Sequence, residues 1–304
     1  MNGIAIEDLM GIDAMKVSLR HLCNQRPWPA MADDFNQNIN MLKDHCKLIA
    51  SLAKKAFLAE PTHFHSLLQH LDRRNKIKRI YTQNIDGLES KAGFDLNTGA
   101  NLPSMRCIPL HGTLFQLRCS LCSARRPLEN YFHDLECGTL PQCGSCEAAR
   151  IERASNNKRS RSSGFLRPDI VLYGEEIDDG KLIMDAVSAD AQNVSEGDVL
   201  FVVGTSLKIP GISDIIKAIG SAIDKANGHV IYLDLEAPPT SMAKHFSLCI
   251  QGDCQVFAKA TIDVLHSGEE LGSDGLTYYT RQVEGRQDMR PLWDWIWMHF
   301  FYLL

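Results

Sequence analysis

The chain has 304 residues, 44% of them hydrophobic, and 32 Lys+Arg against 37 Asp+Glu give it a formal charge of −5. That length and apolar content suffice for one large domain or two smaller ones, and they exclude wholesale disorder and dependence on disulfide staples. The mild acidity excludes a protein whose main task is coating nucleic acid, which needs a net basic face. The N-terminus, MNGIAIEDLMGIDAMKVSLRHLC, has no basic region followed by an unbroken apolar run, so it does not read as a secretory signal and the chain is expected to be intracellular. No stretch reaches the roughly 20 apolar residues of a membrane-spanning helix. The nearest, Leu292 to Leu304, is too short and carries Asp294 and His299.

In chain order, Ile39, Leu42, Cys46, Ile49 and Leu52 or Ala53 recur at a spacing of three and four, which predicts an amphipathic helix over 36–59, stopped by Pro61. Pro61-Thr62 opens a second helix from about His63 to Leu71, and the charged turn Asp72 to Lys76 leads into a short β-prone run, Ile77 to Thr82. Three further runs of this kind lie at Asp198 to Val203, His229 to Leu235 and Leu248 to Gln251. Between the first two, Ser213 is the expected N-cap of a helix whose apolar stripe is Ile215, Ile216, Ile219, Ala222 and Ile223. Strands alternating with helices predict parallel pairing through right-handed crossovers, with ligands beyond the carboxyl ends of the strands. The loops at Gln83 to Asp86 and Gly204 to Ser206 fall at such ends.

Ten cysteines in a long chain without a secretory signal are more suited to metal than to disulfides. Cys119-x-x-Cys122 followed by Cys143-x-x-Cys146 has the spacing of two knuckles that close a tetrahedral Cys₄ zinc site. Four thiolates leave no open coordination position, so such a metal is structural. Four free thiols or two disulfides are the alternatives, and Cys137 reads as a spare thiol. The basic segment Asn156 to Ser163 reads as a flexible loop that ends this module.

Gln83, Asn84 and Asp86 follow a predicted strand and would face a ligand there, although a plain turn explains Asp86-Gly87 equally well. His111, beside Gly112, can accept a proton near neutral pH. Gly204-Thr205-Ser206 offers backbone N–H groups and hydroxyls to a phosphate or ribose, or is a plain strand-ending turn. Asp234, ending the next strand, suits ribose hydroxyls, and a solvated turn carboxylate is the alternative.

Taken in order, TQNIDGLE at 82–89, LHG at 110–112, the two CxxC pairs, FLRPDIVLYGE at 165–175, VVGTSLKIPG at 202–211 and GDC at 252–254 resemble the sirtuin family. PTHFH at 61–65 and Lys208-Ile209-Pro210-Gly211 look most like its fungal nuclear branch, which acts on histones. The resemblance implies an α/β fold: a doubly wound, Rossmann-like NAD domain over 61–117 and 164–265, with an inserted zinc module at 118–163. It leaves an atypical helical region at 1–60 and an unassigned tail at 266–304.

It also implies NAD-dependent removal of acetyl groups from protein lysines, histone lysines above all, giving nicotinamide and O-acetyl-ADP-ribose. His111 would be the general base. Gln83, Asn84 and Asp86 would line the nicotinamide and ribose end, and Gly204, Thr205 and Ser206 would contact ribose and phosphates. Asp234 would hold the adenosine ribose, and Asp253-Cys254 would border the adenine. Ile170, Val171, Leu172, Tyr173 and Gly174 would pair with the substrate backbone as an added strand. A nuclear location is implied, with the cytoplasm as the alternative, and neither membrane attachment nor sequence-specific nucleic-acid binding is expected.

The family's glycine-rich phosphate loop is not found in residues 1–60, where Gly3 and Gly11 stand isolated. The sheet is therefore expected to lack its first strand, and NAD binding to be weak. The competing reading is a catalytically impaired or truncated relative that binds acyl-lysine or histone. The last segment from about Pro291, with Trp293, Trp295 and Trp297, is expected to be dispensable.

Overall fold

The computed structural model describes residues 39–96, 102–171, 179–209, 211–267, 277–280 and 301–303. In chain order the elements are α1 (Ile39–Leu58), α2 (His63–Arg73), β1 (Ile77–Thr82), α3 (Leu88–Lys91), β2 (Cys107–Pro109), β3 (Gly112–Cys119), β4 (Arg125–Pro127), α4 (Phe132–Glu136), α5 (Gly144–Ser155) and β5 (Leu166–Ile170). There follow α6 (Gly180–Gln192), β6 (Val199–Val203), α7 (Ile212–Lys225), β7 (His229–Asp234), α8 (Thr240–Ala243), β8 (Leu248–Gln251), α9 (Cys254–Ser267), β9 (Thr277–Thr280) and β10 (Phe301–Leu303). They divide into two units: one takes in 39–60, Asn84–Gly87 and 111–171, the other the remaining described residues.

The larger unit is a seven-stranded sheet in the order β2-β1-β10-β6-β7-β8-β9. All neighbours are parallel except β8 and β9. Strands such as Val199–Val203, VLFVV, are apolar at every position because both faces of a parallel sheet are covered by helices. Side chains alternate along them. Val199, Phe201, Ile231 and Leu233 join a core with Leu67, Leu68 and Leu71 of α2 and Phe257 of α9. Leu200, Val202, Val230 and Tyr232 join a second core with Ile183 and Val187 of α6 and Ile215, Ile216 and Ile219 of α7. Two cores, one per face, make the sheet doubly wound.

The usual doubly wound order is 3-2-1-4-5-6. Here β2, β1, β6, β7 and β8 fill every position of that order except the one belonging to the first strand, and β10 fills that one. The expectation of a missing strand is corrected at this position: β10, the last strand among the described residues, occupies it. Phe301 pairs with Ile77 of β1 on one side and Val199 of β6 on the other. The expectation that the tail is dispensable is corrected with it, because parallel neighbours on both sides need a strand between them to satisfy their backbone groups. Trp293, Trp295 and Trp297 lie outside the described residues.

A second correction concerns α7. Its N-cap is Gly211, at φ 88°, and Ser213 falls inside the first turn. The helix starts early because Ile212, only 2% exposed, belongs to the apolar face that packs on the sheet.

The smaller unit is a three-stranded antiparallel sheet, β4-β3-β5, with β5 at an edge. Its core joins Cys46, Ile49 and Ala53 of α1 to Leu117, Leu128, Leu135 and Leu166. The spacing read for the first helix therefore holds over Ile39–Leu58, and its buried face packs beside the cysteine knuckles.

Candidate functional site

The smaller unit gathers four thiols. Leu121 and Cys122 N–H groups each donate to Cys119 Sγ at 3.4 Å. Ser123, at φ 55°, then returns the chain so that Cys119 N–H reaches Ala124 O at 2.9 Å. In the second knuckle Cys143 is the N-cap residue of α5. Burial pushes the Cys119 thiol up. Burial acts the same way on Cys143, but the Cys146 N–H, the Cys119 and Cys122 thiols and the Ser145 N–H outweigh it and bring that thiol down to about 7.

Cys119 Sγ lies 3.7 Å from Cys146 Sγ, and Cys122 Sγ lies 3.7 Å from Cys143 Sγ. All four sulfurs are within 4.8 Å of one another and none is bridged. A tetrahedral zinc with Zn–S bonds of about 2.3 Å has S···S edges of about 3.75 Å, so this donor set fits the metal. Cys137 stands apart and exposed, its Sγ 3.8 Å from His133 Nε2. Sequence reasoning missed Gly164, where an added Cβ would lie 2.6 Å from Cys119 Sγ. Only its position just before Phe165, where the chain leaves the polar loop, hinted at a close approach.

The same unit carries His111, at the turn between β2 and β3. Its carbonyl accepts from Val171 N–H at 3.0 Å, which extends the β3–β5 ladder by one step beyond the Gly112–Ile170 pair. Its Nε2 atom is buried. The loop Asn84–Gly87 is tied to the start of β3 by Leu114 N–H donating to Ile85 O at 2.8 Å, so Asn84, Asp86 and His111 belong to one unit. Ile170 ends β5 and Val171 follows it, on a strand with an open side. Leu172, Tyr173 and Gly174 lie outside the described residues.

The larger unit brings the other candidates to the carboxyl ends of its parallel strands. Gln83 follows β1, Gly204-Thr205-Ser206 follows β6, Asp234 ends β7, and Gly252-Asp253-Cys254 follows β8. Thr205 Oγ1 donates to Gln83 Oε1 at 3.5 Å, and Tyr232 Oη donates to Thr205 O at 3.0 Å. Gly204 takes φ 62°, and a Cβ there would meet nothing within 4 Å, so its backbone faces open space. Asp234 Oδ1 accepts from Glu236 N–H at 3.1 Å, which orients the carboxylate at the strand end. Burial, aided by the Asp253 charge, raises the Cys254 thiol. Donors after β6 and an acceptor after β7 suit phosphates and ribose hydroxyls respectively, so these residues fit a dinucleotide.

Comparison with known proteins agrees with this fold. The Sir2 family profile matches residues 25–211, and the chain belongs to that family. It is 34% identical over 220 residues to the NAD-dependent protein deacetylase hst4 of Emericella nidulans, covering 70% of this chain and 36% of that protein. It is 38% identical over 202 residues to hst4 of Schizosaccharomyces pombe (65% and 48%), and 32% identical over 222 residues to the NAD-dependent histone deacetylase HST4 of Saccharomyces cerevisiae (69% and 59%). The chain thus spans from about a third to three fifths of the length of these curated relatives. Among solved structures, a Sir2 bound to a p53 peptide and NAD+ matches with a TM-score of 0.53 at 22% identity, over 76% of this chain and 81% of that one. A Sir2 bound to a propionylated peptide matches equally well, over 77% and 85%.

Proposed function

We propose that this chain is an NAD-dependent protein-lysine deacetylase that acts on histones in the nucleus. The observation that carries the reading is the family match over 25–211, which takes in His111, the ribose-side polar residues and the cysteine cluster. The relatives' names, all fungal deacetylases, supply the substrate class. When bound, NAD supplies an electrophilic ribose carbon with nicotinamide as its leaving group.

The chain's own residues would divide the remaining work. His111 would accept a proton from a hydroxyl of the bound ribose, and this calls for the neutral imidazole. Gln83, Asn84 and Asp86 would hold the nicotinamide ribose. Gly204 N–H and the Thr205 and Ser206 hydroxyls would serve the phosphates, and Asp234 would accept from the adenosine ribose. The 252–254 turn, with Asp253 and Cys254, borders the adenine. The open side of β5 would pair with the acetylated peptide as an added strand. Cys119, Cys122, Cys143 and Cys146 would hold a zinc that ties the two knuckles together and, with four thiolates as ligands, would take no part in the chemistry.

Incubating the full chain with an acetylated histone peptide and NAD, and following O-acetyl-ADP-ribose by mass spectrometry, tests this directly. Product should form, and His111→Ala should lower turnover by about 10²- to 10⁴-fold while leaving the fold intact. Wild-type turnover in the variant would overturn the role of His111.

One observation favours a second reading, a catalytically impaired relative that binds acetyl-lysine. Doubly wound sheets hold a pyrophosphate on a glycine-rich loop, and residues 1–60, where the family resemblance puts that loop, have only the isolated Gly3 and Gly11. Calorimetry separates the two readings. Retained peptide affinity with no NAD affinity selects the second.

A further inference from the structure

Helix α5 leaves the second knuckle and buries only Cys146; every residue from Ala148 to Glu152 is exposed, as is every residue from Ala154 to Ser162. Such a helix has no apolar face on the core, so something other than packing must account for its surface. That surface is cationic: Arg150, Arg153, Lys158, Arg159 and Arg161 stand against a single acid, Glu152, between positions 150 and 161. Arg150 is paired with Glu147, its Nε donating to Oε2 at 2.9 Å, and Ser163 Oγ donates to the same oxygen at 3.0 Å. Among the described residues the side chains of Lys158, Arg159 and Arg161 meet no carboxylate.

These three cations are presented by an ordered turn. Asn157 takes φ 50° as the left-handed residue after the helix. Its N–H reaches Ala154 O at 3.1 Å and Lys158 N–H reaches Arg153 O at 2.8 Å, the paired bonds of a Schellman cap. Arg153 Nε then donates to Arg159 O at 3.0 Å, which holds the next residue in place. The far end is anchored at the cysteine cluster, where Cys143 N–H donates to Gly164 O at 2.8 Å.

We propose that this capped basic turn, Lys158 to Arg161 with Arg153 behind it, is a docking site for the phosphodiester backbone of double-stranded DNA, read without regard to sequence. Lys158 to Arg161 are exposed, and nothing buries them into a pocket that would enclose a single phosphate. Lys158, Arg159 and Arg161, within four residues of exposed chain, suit instead an extended polyanion whose charges repeat along its length. The proposal does not depend on the deacetylase reading; it assigns the zinc-bearing unit a tethering role of its own.

The test is fluorescence anisotropy of the full chain with a labelled 20-base-pair DNA duplex between 50 and 200 mM KCl. Three neutralised phosphates predict a log–log salt slope near −2.7, so affinity should fall by about fortyfold over that range. Lys158→Ala/Arg159→Ala/Arg161→Ala should lose at least tenfold in affinity at 50 mM and most of the slope, with zinc content and melting temperature unchanged. Arg159→Lys/Arg161→Lys, which keeps the charges, should bind as the unmodified chain does. Equal binding by the alanine variant, binding with no salt dependence, or capture by phosphatidylserine vesicles without any by the duplex would each overturn the proposal.

Discussion

Gly112 and Asp169 approach so closely across the β3–β5 ladder that an ideal Cβ on Gly112 would lie 1.9 Å from the Asp169 carbonyl oxygen. Gly112 also takes φ 76°, a conformation that costs an L-residue about 1–2 kcal/mol. Only glycine satisfies both demands, and it does so next to His111. Asp169 itself is held by Arg125, whose Nε donates to Oδ2 at 2.6 Å, so it cannot easily retreat. Gly112→Ala should therefore destabilise the unit by at least about 2 kcal/mol and displace His111. Thermal unfolding should show a drop of several degrees in Tm. A variant as stable as the parent would mean that the ladder has slack that the structure does not show.

The cysteine cluster predicts one tightly held Zn²⁺ per chain. Cys143→Ala removes the thiol that its surroundings bring lowest and the residue that caps α5, so metal and module should be lost together. Metal analysis of the folded protein checks this. Full zinc retention in the variant, or no zinc in the parent chain, would refute it.

Deleting residues 301–304 should open the sheet between β1 and β6. The backbone groups that face β10 would be left without partners, and two strands would become edges. The truncated chain should melt several degrees lower or fail to fold, and should bind a hydrophobic dye that the full chain does not. Unchanged melting would show that another segment can fill the position.

His45 offers a pH test. Its imidazole is buried in the smaller unit, and burial together with the Arg167 charge lowers its pKa from 6.5 to about 4. Between those two values the unfolded chain holds more protons than the folded one, so stability falls as pH drops through 6.5 and levels off near 4. Chemical denaturation from pH 7 to 4 should show the decline, and His45→Gln should flatten it. Parallel profiles for the two proteins would assign the acid sensitivity elsewhere.

Much of this protein was legible in its sequence because the relevant signals are local. The three-and-four spacing of Cys46, Ile49 and Ala53 marked the buried face of α1, and the unbroken apolar run VLFVV marked a strand covered on both sides. Two CxxC pairs specified a cluster because each pair constrains a single turn. The N-cap of α7 was misread because Ser213 has the stronger capping side chain, while the burial of Ile212, which no local rule weighs, moved the start of the helix to Gly211.

Three features were decided only by the tertiary structure. The clash that makes Gly112 obligatory involves Asp169, and the one at Gly164 involves Cys119. The middle of the parallel sheet is filled by Phe301–Leu303, more than 200 residues after its neighbour Ile77–Thr82. Local propensity can identify a short apolar strand but carries no information on which gap it enters, because that choice depends on which backbone groups distant segments leave unpaired.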